Sequence, residues 1–283
     1  MYDKVRYAFK VSRFRFWIYT GGTFVIGYTL GAETLSDFYN LDYYLYLFYF
    51  FFLANVFIYG VNDLFDVSTD KDNPKKDEKE HRLVREKVKD LKTILYVTAI
   101  ISLLLLVFQN NWLERAIFTT FLFLSYFYSA TPLRFKSKPI VDFSSNMLYI
   151  MPGIFAYVLI SSQFPPTLIV LAGFFHISAM HLFSAIPDID YDKKADIKTT
   201  AVVLGKKPSL FLCFIFWSLL SLSTFLLTRF HPLSYLILIY PSIPLFILLQ
   251  EKINIKNAYW FLPYVNTGLG GLLFTVLLFE TIL

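Results

Sequence analysis

Asn62-Asp63-Leu64-Phe65-Asp66-Val67-Ser68-Thr69-Asp70 marks the point where a long aromatic, apolar run stops and a charged segment begins. Asn62, Asp66 and Asp70 are four residues apart. On a helix that spacing stacks all three on one face, one turn above the next. The run before them, about 43–62, is almost all Tyr, Phe and Leu. It matches the ~20 apolar residues that a helix needs to cross a ~30 Å hydrocarbon core. The stretch therefore predicts a membrane-spanning helix with polar groups at its mouth. A second set, Asp188, Asp192 and Asp196, repeats the spacing and follows another apolar run.

The composition agrees with a membrane protein. Of 283 residues, 56% are hydrophobic and 20% aromatic, with 32 Phe and 20 Tyr. Mean hydropathy is +0.53, too apolar for a soluble domain of this length. Apolar runs are expected to span at about 14–32, 43–62, 91–108, 112–130, 140–160, 167–186, 210–227, 233–249 and 258–283. The expected fold is an all-α bundle of nine transmembrane helices. It forms a single domain over 1–283 with two related halves, about 1–130 and 131–283, each carrying one acidic ladder. The first apolar run lacks a small-residue cleavage pattern and reads as a retained span. The lone Cys213 excludes an intramolecular disulfide and a cysteine metal cluster.

Charge orients the bundle. With nine spans, 24 of the 26 Lys and Arg fall on one side, leaving only Arg115 and Arg229 opposite. By the positive-inside rule the N-terminus and both ladders face the cytoplasm and the C-terminus lies outside. The same sidedness explains the net charge of +5, so it does not argue for nucleic acid.

An acidic run at a helix end near water is often merely solvated. Two runs of matched spacing on one side point to more. Carboxylates a turn apart offer hard oxygen ligands of the kind Mg²⁺ prefers, with substrate phosphates completing its shell. Asn62 adds a neutral oxygen or an amide donor. Arg134 and Lys136 in one polar segment, and Lys193, Lys194 and Lys198 in another, can donate to phosphate oxygens. A diphosphate clamped beside an apolar cavity suits ionisation of an allylic diphosphate. Metal and cations stabilise the leaving group, and a dry aromatic wall protects the allyl cation. Tyr128, at the inner end of the fourth run, is a candidate for that wall, although Tyr at a membrane interface is commonly an anchor.

These residues resemble the UbiA-type intramembrane prenyltransferase superfamily. The resemblance rests on Asn62-x₃-Asp66-x₃-Asp70, on Asp188-x₃-Asp192 continuing to Gly205, and on Tyr128-Ser129-Ala130-Thr131-Pro132-Leu133-Arg134-Phe135-Lys136. It implies Mg²⁺-dependent transfer of a prenyl group from its diphosphate to a lipophilic acceptor. Asp66, Asp70, Asp188 and Asp192 are then the metal ligands, and Asn62, Arg134, Lys136 and Lys198 the diphosphate contacts. Within the superfamily the chain is similar to lycopene elongases of the bacterioruberin type. The matching pieces are Ser12 to Tyr19, Asn62 to Lys76, Ala185 to Asp190 and Thr199-Thr200-Ala201. That likeness implies a prokaryotic cytoplasmic membrane, dimethylallyl diphosphate as donor, and lycopene or a related acyclic carotenoid as acceptor. Two departures stand out: Phe14 in place of Pro, and Asp196 where Gly is usual.

Other functions fit less well. Prenylation of an aromatic quinone precursor would use the same scaffold, but an acidic acceptor favours a buried Arg, and Arg is expected only at span ends. A cation-coupled transporter would place its acids near the bilayer midplane, whereas these lie at span ends. His176 and His181 are five apart, about 500° of helical rotation, and read as packing or cavity lining.

Overall fold

The protein is described here from a computed structural model that covers residues 2–67, 83–250 and 253–279. Among these residues all regular structure is helical. Seven helices are long and apolar enough to cross a membrane: Leu41–Phe65, Arg85–Val107, Val141–Ser161, Thr167–Lys194, Lys206–Leu227, Pro232–Leu249 and Ile255–Leu277. The expectation of nine is corrected to seven, because the runs at 14–32 and 112–130 fall short. The first is broken. Arg13 adopts a left-handed φ of 52° and Phe14–Tyr19 winds as a 3-10 turn. Only the 11 residues Gly21–Gly31 then form α-helix, about 16 Å long. The other is the 16-residue helix Trp112–Phe127, about 24 Å long. It carries Glu114 and Arg115 in its first turn, charges that a bilayer core resists.

The chain divides into two compact units. The first comprises the described residues of 1–134, 151–164 and 273–283. Its centre is aromatic. Phe50 lies 5.3 Å from Phe121, 5.5 Å from Phe24 and 5.7 Å from Phe155, ring centre to ring centre. All four rings are buried. Much of the Phe excess therefore serves packing as well as the lipid-facing surface. Tyr49–Leu53 is a π-helical turn inside Leu41–Phe65. Such a turn loosens backbone hydrogen bonds, and Asn55 compensates. Its amide donates to Phe50 O, Phe51 O and Thr20 Oγ1 at 3.0, 2.9 and 2.6 Å. Helices Gly21–Gly31 and Met151–Ser161 touch through glycine. A Cβ on Gly27 would stand 2.0 Å from Gly153 O, so only small residues permit this approach.

The second unit comprises 135–150 and 165–272. Thr167–Ala185, Lys206–Leu227, Ile239–Leu249 and most of Ile255–Leu277 belong to it. Phe183 and Trp217 pack at 5.6 Å and are both buried. Cys213 is buried, 3.6 Å from Ala179 O.

Candidate active site

In the first unit, Asn62 lies in the last turn of Ala54–Phe65 and Asp66 caps it, with Asp66 N–H donating to Asn62 O at 3.0 Å. The four-residue spacing therefore does bring the two side chains together: Asn62 Nδ2 donates to Asp66 Oδ2 at 2.9 Å. The same amide reaches Ser129 Oγ at 3.0 Å. Arg134 Nη2 donates to Asp66 Oδ1 at 3.2 Å. Asp66 is 4% exposed. A buried carboxylate at a helix C-terminus faces the negative end of the helix dipole and must be held there by donors. Asn62 and Arg134 are those donors. Tyr128 is half-buried and immediately precedes Ser129. Asp70 lies outside the described residues.

Asp63, one residue from Asn62, has a separate role that the sequence reading missed. Arg13 Nη2 donates to Asp63 Oδ1 at 2.6 Å, with side-chain exposures of 8% and 1%. The guanidinium also lies 4.7 Å from the centre of the Tyr59 ring. Tyr7 and Val11, on the same N-terminal segment as Arg13, pack with Val61, Leu91, Leu95 and Ala130. The Tyr7 phenol is pushed up to about 12, chiefly by burial and then by the Asp63 and Asp90 carboxylates, and so stays neutral. Arg13 is thus an anchor of the helix that carries Asn62 and Asp66, beyond its place in the positive-inside pattern.

In the second unit, Asp188 ends the 3-10 turn Ile186–Asp188 and leads into the helix Ile189–Lys194, which carries Asp192. Both acids are half-buried. Asp196 does not continue the ladder. The helix has ended, and Asp196 has φ 53° and is exposed. A left-handed φ is one that Gly adopts without the Cβ penalty that Asp196 meets. Asp196→Gly is expected to raise the unfolding temperature slightly, by about 0.5 kcal/mol of stability, with turnover unchanged. A thermal melt beside a rate assay checks both.

Lys136 is half-buried in Phe135–Ser137, and Lys198 is exposed after the Ile189–Lys194 helix. A latch joins the segments that carry these two lysines. Thr200 N–H donates to Asp142 Oδ2 at 2.7 Å and Thr200 Oγ1 to Asp142 Oδ1 at 2.5 Å. Ile140 N–H donates to Thr200 Oγ1 at 2.7 Å. Asp142 is wholly buried. Its only sequence signal is one acid inside an apolar run. Gly205, with φ 80°, makes the sharp turn into the Lys206–Leu227 helix, a conformation that Gly adopts without a Cβ penalty.

Most of the chain that carries these residues matches a known family. The model of the UbiA prenyltransferase family fits residues 21–259. The chain belongs to that family. It is therefore a UbiA-type membrane prenyltransferase. It is similar to a lycopene elongase/hydratase of Haloferax volcanii, at 36% identity over 271 residues, covering 96% of this chain and 88% of that protein. Its fold is shared with a UbiA homologue from Archaeoglobus fulgidus bound to GPP and Mg²⁺. The TM-score is 0.70 at 21% identity, covering 95% of this chain and 99% of the other. A UbiA homologue from the same organism bound to DMAPP and Mg²⁺ gives 0.64 at 20% identity, with 95% and 99% covered.

The donor set of this UbiA chain fits Mg²⁺. Among the described residues no three His, Cys, Asp or Glu side chains converge into a closed metal cage. Mg²⁺ does not require one, since it commonly binds one or two carboxylates together with substrate phosphates and water. Every candidate ligand is a hard oxygen, and cysteine and histidine donors are not among them.

Proposed function

We propose that this UbiA prenyltransferase transfers a dimethylallyl group from dimethylallyl diphosphate to a terminal double bond of lycopene or a related acyclic carotenoid. The buried Asp66 carboxylate, held by Asn62 and Arg134 at a helix end, carries the diphosphate part of the reading. The acceptor follows from the lycopene elongase/hydratase relatives, which match over nearly the whole chain.

In this reading Asp66, Asp70, Asp188 and Asp192 hold Mg²⁺, and Asn62, Arg134, Lys136 and Lys198 contact the diphosphate. Bound there, Mg²⁺ supplies Lewis-acid neutralisation of the leaving diphosphate. Arg134 steadies Asp66 before substrate arrives and then donates its planar fork to phosphate oxygens. Lys136 and Lys198 add donors, and Asn62 keeps Asp66 aimed. Tyr128 offers its ring face to the allyl cation, while the aromatic interior excludes water. The chain works as one domain of two related halves, about 1–130 and 131–283, each contributing one aspartate pair. An odd span count puts the two termini on opposite sides, and the five Lys and Arg of 1–15 support a cytoplasmic N-terminus and an outer C-terminus. The relative from Haloferax volcanii supports a prokaryotic cytoplasmic membrane.

The test uses purified protein in detergent with labelled dimethylallyl diphosphate and Mg²⁺. Lycopene is expected to take up label well above 4-hydroxybenzoate or a naphthoate. Label passing only to the aromatic acid would overturn the carotenoid reading and favour a quinone precursor. Chelation of Mg²⁺ is expected to abolish transfer to either.

A further inference from the structure

The reaction has an end as well as a beginning. Once the acceptor double bond attacks the allyl cation, a tertiary cation remains on the acceptor. A proton must leave before a neutral product can form. None of the residues assigned so far receives it.

The second unit holds a group suited to that task. His181 lies near the end of Thr167–Ala185, and its Nε2 stands 4.0 Å from Asp142 Oδ2, with side-chain exposures of 14% and 0%. Its neighbours Met180 and Leu182 are 5% and 0% exposed. The imidazole thus keeps more accessible surface than the adjacent side chains, and that surface lies away from Nε2, which is itself buried beside Asp142. Asp142 is fixed by two donors from Thr200, so its carboxylate cannot rotate away from the imidazole. An ionisable pair inside a membrane-spanning helix is expensive, and the usual return is function. As an anchor for Thr200, Asp142 has no need of a histidine beside it. A base oriented by a fixed carboxylate is the common arrangement of general-base catalysis. His181 lies seven residues before Asp188, about 10 Å along the helix. That is deeper in the span than the diphosphate ligand, where the reacting carbon of a lipophilic acceptor would sit.

We infer that His181 is the general base that ends the transfer, with Asp142 as its positioning residue. The inference rests on the carotenoid reading above. The C–O bond pair leaves with diphosphate, and the acceptor π pair forms the new C–C bond. The tertiary cation then takes a lone pair from water, and the water proton passes to the His181 imidazole, giving a tertiary alcohol. Alternatively, a C–H beside the cation gives its proton to the same imidazole, and its electron pair becomes a new double bond. In both branches the imidazolium is balanced by the Asp142 carboxylate until it returns the proton to solvent.

The experiment compares wild type with His181→Gln in detergent, using Mg²⁺, labelled dimethylallyl diphosphate and lycopene. Diphosphate release and prenylated carotenoid are measured in the same reaction. Gln fills similar space but cannot accept the proton. Prenylated product is expected to fall about 100-fold, and diphosphate released per product to rise at least about tenfold. Adduct cations that cannot lose a proton revert by cleavage of the new C–C bond, and water captures the regenerated allyl cation as dimethylallyl alcohol, its proton passing to bulk water. A misfolded or merely loosened variant would lose both signals together. An unaltered ratio of diphosphate to product overturns the inference, whether the rate is kept or lost. Wild type that releases diphosphate but never prenylates lycopene overturns the carotenoid reading, and this role of His181 with it. Wild type that does prenylate, beside an unaltered ratio in the variant, overturns the base alone.

Discussion

Asp66→Ala is expected to lower turnover by about 10²–10³-fold or more, the usual scale for removing one preorganised group that stabilises a leaving anion. Folding is not expected to suffer. Asp66 is buried at a helix C-terminus, where the dipole opposes a carboxylate. Its partner Arg134 is 28% exposed on its side chain and regains water when the acid is gone. The variant should therefore melt at or slightly above the wild-type temperature while losing activity, the usual trade between a functional site and stability. Asp188→Ala should show the same loss of turnover. Initial rates of labelled transfer, beside thermal unfolding in the same detergent, measure both effects. Turnover within twofold of wild type in either variant would exclude the aspartates from the diphosphate site. A large drop in melting temperature would instead show that Asp66 holds the helix end together.

The sequence exposed this site unevenly. The spacing from Asn62 to Asp66 was legible because a helical turn converts a four-residue interval into contact, and the amide does reach the carboxylate. The same rule failed at Asp196. Spacing cannot see that the helix has stopped and that the backbone has turned left-handed. The count of spans failed for a related reason. Apolar composition runs through 14–32 apart from Arg15, but the 3-10 turn that follows the left-handed Arg13 takes up Phe14–Tyr19 and leaves only Gly21–Gly31 as α-helix. Conformation at one residue decides such a break, and a hydropathy window averages it away. Asp142 and Thr200 were not found because their partnership spans nearly sixty residues and follows no local period. Arg13 was visible only as one of many basic residues on the expected cytoplasmic side. Its pairing with Asp63 depends on the chain folding back across 50 residues.

That pairing makes Arg13→Ala the substitution expected to cost the most stability. The change leaves the Asp63 carboxylate, 1% exposed, without its cation. Breaking a buried ion pair from one side typically costs about 3–5 kcal/mol, because the remaining charge stays buried and uncompensated. The loss of the guanidinium over Tyr59 adds to this. Arg13→Lys should recover only part of the stability, since an ammonium keeps the charge but not the planar fork or the stacking surface. The double variant Arg13→Ala/Asp63→Leu should recover more, because it removes the stranded charge and fills its space with apolar atoms. This order, with the double variant above Arg13→Ala, separates a stranded carboxylate from a simple loss of packing, in which each further change would only add damage. Urea or thermal unfolding in detergent reads the series, and an Arg13→Ala variant within about 1 kcal/mol of wild type would rule out the anchor. Asp63 is the neighbour of Asn62 on the same helix. Loosening it should therefore also raise the diphosphate concentration needed for half-maximal rate, linking the break in the first apolar run to the aim of the aspartate ligand.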